Sequence, residues 1–183
     1  MEKWLLDNII FVTFPRSGLN YFAEYFEQAT NFYLPRSHFY KRDENREVFS
    51  IVRSPIDTIV SGVSQHINSK PDDSIERVAK DTAKEYFMFY NYVINQKVRN
   101  IISYNDFIKD PANTIKNFSN CLDLENVSID YTNILKPHHD YVPSSKNLEV
   151  YSDVLMYVKT LDLSIHQIEY QKSLSKNILF NKR

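Results

Sequence analysis

Residues 8–26 read NIIFVTFPRSGLNYFAEYF, and the junction in the middle of this stretch decides the fold. Residues 9–14 form a short, β-rich apolar run without alternation, as expected of a strand buried on both faces. Pro15-Arg16-Ser17-Gly18 interrupts it. Residues 19–29 then place Tyr21, Phe22, Tyr25 and Phe26 at helical spacing. Gly18 is one of only two glycines in the chain, so its position at a strand-to-helix turn is informative. Such a turn points several backbone N–H groups in one direction, and the helix dipole adds to their attraction for an anion. Glycine opens backbone geometry closed to other residues and lets the main chain approach a ligand closely. Arg16 supplies a permanent planar cation beside it, and Ser17 and Asn20 supply short polar side chains. The alternative is an ordinary tight turn with a surface arginine.

Outward from this junction the pattern repeats. Residues 31–39 read as extended, interrupted by Pro35, and 41–46 as a charged turn. VFSIV, 48–52, is a second buried strand, and Pro55 suits the first turn of a helix over 55–68. A long helix is expected over 74–96, where Ile75, Val78, Ala79, Tyr86, Phe87, Tyr90, Val93 and Ile94 recur at three- and four-residue steps. RNIISY, 99–104, is a third strand, and 110–121 is helical. Residues 123–143 are weakly patterned and loop-like. A helix is expected over 148–160, with room for another in the tail. Strands alternating with helices indicate an α/β fold, a parallel sheet flanked by helices, in one domain over 1–183. Ligands of such sheets sit beyond the carboxyl ends of the strands. PRSGLNY, RSPIDTIVS and YNDF each follow an expected strand and should converge on one crevice.

Composition narrows the function. The chain has 183 residues, 43 % of them apolar and 25 % charged, which supports a packed core and argues against disorder. A formal net charge of −1 argues against a general nucleic-acid binder but not against a small anion held by a few arginines. Cys121 is the only cysteine, which excludes an intrachain disulfide and a thiolate metal cluster; a small buried apolar role is expected for it. MEKWLLDNIIFVTF has neither a basic leader nor a long apolar run, and no window reaches the roughly 20 apolar residues of a membrane span. The expected location is cytoplasmic. No metal is expected, because His138-His139 lacks the further ligands of a metal site. G-x-x-x-x-G-K-[ST] is absent, which disfavours the usual ATP or GTP P-loop enzyme.

In the second motif, Arg53 stands at the end of a buried strand and Ser61 lies eight residues on, a little over two helical turns away. Both side chains can reach one anion lying across that helix. The alternative pairs Arg53 with Asp57 and packs Ser61 against the sheet.

Taken together these stretches resemble the sulfotransferase family. TFPRSGLNYF is similar to its 5′-phosphosulfate loop, commonly T-Y-P-K-S-G-T-T-W. RSPIDTIVS is similar to its 3′-phosphate motif R-x-x-x-D-x-x-x-S, with Arg53, Asp57 and Ser61 in register. SYNDFIKDPANTIKNFSNCLDL resembles the later YEDL…DP segment, with Tyr104 at the tyrosine and Asp110-Pro111 at the Asp-Pro. The resemblance covers roughly residues 9–124. It implies the sulfate donor 3′-phosphoadenosine 5′-phosphosulfate (PAPS), the product 3′-phosphoadenosine 5′-phosphate (PAP), and a sugar or other alcohol as acceptor. It also implies roles residue by residue. Arg16 would contact the 5′-phosphosulfate, and Ser17, Gly18, Leu19 and Asn20 would supply loop donors. Tyr21 would stack on adenine, Arg53 and Ser61 would hold the 3′-phosphate, and Tyr104 would lie near the base. LPRSHFY resembles the family's K-T-H-L segment, which makes His38 the expected general base and Arg36 a second contact to the sulfuryl group. In an extended segment these two residues share a side, and histidine suits the task with a pKa of about 6.5. The alternative is a surface His–Arg pair on an edge strand.

The sequence also departs from the family pattern. Leu19-Asn20 replaces Thr-Thr, removing a hydroxyl donor. The basic glycine-containing loop that closes over the 3′-phosphate is missing; PSSKN, with Lys146, is the candidate substitute. His66, His138, His139 and His166 are read as surface or packing residues, with His66 and the His138-His139 pair as candidates for lining an acceptor pocket. Two other readings stay open: a P-loop small-molecule kinase and a non-catalytic nucleotide-binding relative.

Overall fold

The computed structural model describes residues 4–6, 8–37, 46–124 and 145–178. Its centre is a four-stranded, fully parallel sheet in the order β4 (Arg36–Ser37), β2 (Ile9–Val12), β5 (Glu47–Val52), β6 (Asn100–Ser103). Two further short strands, β1 (Trp4–Leu5) and β3 (Phe32–Tyr33), pair in parallel beside it. Every residue of β2 is buried, as its unbroken apolar run requires. In β5, Ile51 packs on one face and Val52 on the other, the alternation that a strand imposes.

Helices cover both faces. Helix α1 (Leu19–Thr30) packs Phe22 and Phe26 against Phe11 and Phe49, together with Phe107 of α5 (Tyr104–Lys109) and Phe118 of α6 (Pro111–Cys121). It ends at Asn31, whose left-handed conformation (φ 62°) lets its N–H cap the Glu27 carbonyl. The opposite face carries α2 (Pro55–Ser69), α3 (Ile75–Phe89), α7 (Ser145–Val158) and α8 (Ser164–Leu174). No helix among the described residues is long and apolar enough to cross a membrane.

The chain runs from β2 through α1 to β4 on one side, then returns past β2 to β5 on the other. The strand order therefore reverses between β2 and β5, and this is where an open parallel sheet leaves a crevice at its carboxyl edge. Crossovers of one hand leaving in opposite directions put α1 on one face and α2 and α3 on the other.

Several features differ from the sequence reading. The expected third strand stops at Ser103, whose hydroxyl accepts from Asp106 N at 3.3 Å and starts α5. The expected helix over 74–96 is α only to Phe89. A π turn follows over Tyr90–Ile94, then α4 (Asn95–Lys97). Buried positions recur every four residues here, at Tyr86, Tyr90, Ile94 and Val98. Steps of four overshoot a 3.6-residue turn, so the stripe drifts around the helix, and a wider turn takes the drift back. Helix α7 begins at Ser145 rather than 148. Cys121, expected as a small buried side chain, is only partly buried. The expected charged turn lies mostly outside the described residues, as does the loop-like region beyond residue 124.

Candidate functional site at the strand-order reversal

The three stretches that follow strands β2, β5 and β6 meet at the carboxyl edge of the sheet. They enclose a cleft of about 340 Å³ lined by Arg16, Ser17, Gly18, Leu19, Asn20, Tyr21, Arg53, Ser61 and Tyr104. Of the residues singled out by sequence, nine therefore stand together. Gln65, Phe14 and Pro15 complete the wall; sequence reasoning did not single them out.

Local chemistry explains the loop's shape. Thr13, buried at the end of β2, donates from Oγ1 to the Ile51 carbonyl at 2.7 Å and fixes the strand end to β5. Ser17 N then donates to the Phe14 carbonyl at 3.2 Å, closing the turn. Arg16 and Gly18 both take positive φ, 69° and 95°. Gly18 has a second reason to be glycine: a Cβ there would lie 2.2 Å from the Tyr104 ring. The loop and Tyr104 thus interlock.

Helix α1 opens into this cleft without a side-chain cap and without an acidic residue in its first turn. Helices α2, α3, α5 and α6 are each capped by a side chain, from Ser54, Ser74, Ser103 and Asp110 respectively. The α1 amides lack that partner at the place where the dipole is positive.

Two cations face the cleft. Arg16 Nε donates to Ser61 Oγ at 3.2 Å, so the first loop reaches across to α2. Arg53 lies over the Tyr104 ring, its Cζ 4.9 Å from the centroid, and its NH1 donates to the Arg16 carbonyl at 3.4 Å. Arg53 Nε is buried and has no hydrogen-bond partner among the described residues. Asp57 is engaged elsewhere: its Oδ2 accepts from Ser54 Oγ at 2.6 Å at the start of α2. The Arg53–Asp57 pairing that competed with the anion reading is therefore not the arrangement adopted. Burial, with the charges of Tyr104 and Tyr25, raises the Tyr21 phenol; burial raises Tyr104 as well, against the opposing pull of Arg53. Both rings stay neutral near pH 7 and offer aromatic faces beside the cations.

Sequence reasoning filed Tyr86 and Tyr90 with the helix core. Both are fully buried, yet both hydroxyls donate to the Arg53 carbonyl, at 2.9 and 3.2 Å. Burial is the main cause that lifts Tyr90 to a pKa of about 12 and pushes Tyr86 further in the same direction, so both remain donors. The available signal was a polar ring tip on an apolar face, which needs a partner inside.

Other expected residues stand elsewhere. Arg36 is on β4, paired with the buried Glu27 of α1 at 3.2 Å, and does not line the cleft. Glu27 also accepts from Leu34 N at 3.2 Å, so a buried carboxylate draws Arg36 to the α1 face. Replacing Arg36 with methionine is expected to cost about 1–2 kcal/mol of stability, discounted for the arginine's partial exposure, without weakening nucleotide binding. Thermal unfolding and calorimetric titration measure the two. Lost turnover at unchanged stability would instead place Arg36 in the reaction. His66 bonds Asp73 at 2.6 Å, away from the cleft, and His166 Nε2 meets the Ala83 carbonyl at 3.0 Å. His38, His138 and His139 lie outside the described residues. Lys146 falls in the first turn of α7, but its side chain is not among those described.

No family model matches this chain, and no curated protein matches it significantly.

Proposed function

We propose that the protein is a PAPS-dependent sulfotransferase acting on a sugar or other alcohol. The observation that carries this reading is the meeting of Arg16 and Arg53 in one cleft at the strand-order reversal, around the uncapped start of α1. The residues suit the donor: two arginines for its anionic ends, a glycine turn packed against Tyr104, and two tyrosines for its base. The cleft is at the lower end of the usual range for small-molecule sites.

The donor supplies an activated sulfuryl group whose bridging oxygen leaves on the nucleotide. Arg16 and the amides of residues 17–20 hold the 5′ end and balance the charge that builds there. Arg53 and Ser61 hold the 3′-phosphate, the guanidinium being suited to two oxygens at once. Tyr21 and Tyr104 flank adenine. His38 takes the proton of the attacking hydroxyl; its assignment rests on the resemblance of LPRSHFY alone.

Calorimetry should find PAP bound in the micromolar range and at least tenfold more tightly than adenosine 5′-phosphate. A screen of hydroxylated acceptors with labelled PAPS should show transfer that His38→Ala abolishes while PAP binding persists. Tight ATP binding indifferent to a 3′-phosphate would overturn the assignment. A nucleotide-binding relative without turnover is favoured by one observation, the commitment of Arg36 to Glu27. PAP binding without transfer to any acceptor would select it.

A further inference from the structure

We infer that Tyr90 and Tyr86 are positioning residues that set Arg53 for the 3′-phosphate, an inference that rests on the sulfotransferase reading above. Arg53 is the first residue beyond β5, where the strand ladder stops. Its backbone is held instead by the two phenols. Arg53 N donates to the Tyr90 hydroxyl at 3.2 Å, and the Arg53 carbonyl accepts from Tyr86 at 2.9 Å and Tyr90 at 3.2 Å. The rings stack at 4.0 Å and 14° and are almost wholly shielded from solvent.

Stacking brings the two hydroxyls side by side, and the backbone they meet is that of the residue carrying the cleft's inner cation. Ser17 of the first loop is buried as well, and its hydroxyl has no hydrogen-bond partner among the described residues.

An arginine side chain has large rotamer freedom, and ordering it on binding weakens affinity. Here the root of the side chain is fixed by the tyrosines and its tip by the Tyr104 ring. The guanidinium is thus arranged before the ligand arrives. The π turn beginning at Tyr90 lets the same helix carry these polar tips and still bury Ile94 and Val98 beyond them.

The test compares PAP with adenosine 5′-phosphate by calorimetry, since only PAP carries the group that Arg53 holds. Tyr90→Phe should weaken PAP about tenfold and leave adenosine 5′-phosphate nearly unchanged. Tyr86→Phe, which removes one of two donors to the carbonyl, should act in the same direction more weakly, and it carries the test if Tyr90→Phe does not fold. A lowered melting temperature with equal effects on both nucleotides would show a purely structural role and overturn the inference. Wild-type protein without preference for PAP would overturn the sulfotransferase reading and this inference with it. A wild-type preference that both variants retain overturns the inference alone.

Discussion

Arg53→Ala should weaken PAP binding by about a hundredfold and leave adenosine 5′-phosphate within a few-fold of wild type. A hydrogen bond to a charged group contributes about 1.5–3 kcal/mol, and a guanidinium can make two to one phosphate. Losing about 3 kcal/mol corresponds to roughly a hundredfold in affinity. The difference between nucleotides matters more than the size of the loss. Arg53 also donates to the Arg16 carbonyl and lies over Tyr104, so its removal loosens the first loop. A loosened loop weakens both nucleotides together, because it holds the 5′ end they share. Titrations of both with the same preparations separate the effects, and equal losses would make Arg53 a prop of the loop rather than a phosphate ligand. Arg53→Lys should recover only part of the affinity, since a point charge restores attraction but not the paired donors.

The second large effect is on folding. Gly18→Ala is expected to destabilise the protein by about 2–4 kcal/mol and lower its melting temperature by roughly 5–15 °C. One part is conformational: at φ 95° a Cβ is unfavourable. The other is steric, because that Cβ would lie 2.2 Å from Tyr104 ring atoms. Relief requires the ring or the loop to shift, and both line the cleft, so PAP binding should fall as well. Tyr104→Ala in the same chain should return the steric part but not the conformational part. Unfolding of the two single variants and the double variant isolates that coupling. An additive cycle would mean that the loop and the ring are not interlocked.

The sheet and most helices were legible because their signals are local. An unbroken apolar run such as 9–12 makes a doubly covered strand wherever it falls, and Pro55 with Ser54 starts a helix without outside help. The convergence of residues 15–21, 53–61 and 104 was also legible, since parallel strands deliver the segments after them to one edge. Arg36 was not. Its neighbours suggest an exposed strand pair, and only the fold brings the buried Glu27 of α1 to it. The π turn was equally hidden, because a four-residue stripe is compatible with a continuous helix until packing demands that the stripe stop drifting.

The sequence by itself determined an α/β chain with arginines placed just past two buried strands and a scarce glycine at the first turn. Periodicity and turn chemistry are written in neighbouring residues and need no partner. Tertiary structure alone decided which groups the arginines meet. It laid Arg53 on Tyr104, fastened its backbone to Tyr86 and Tyr90, bridged Arg16 to Ser61 and drew Arg36 to Glu27. These contacts join residues 9 to 51 positions apart, and a long polar side chain takes its partner from whatever desolvated group the packed core places within reach.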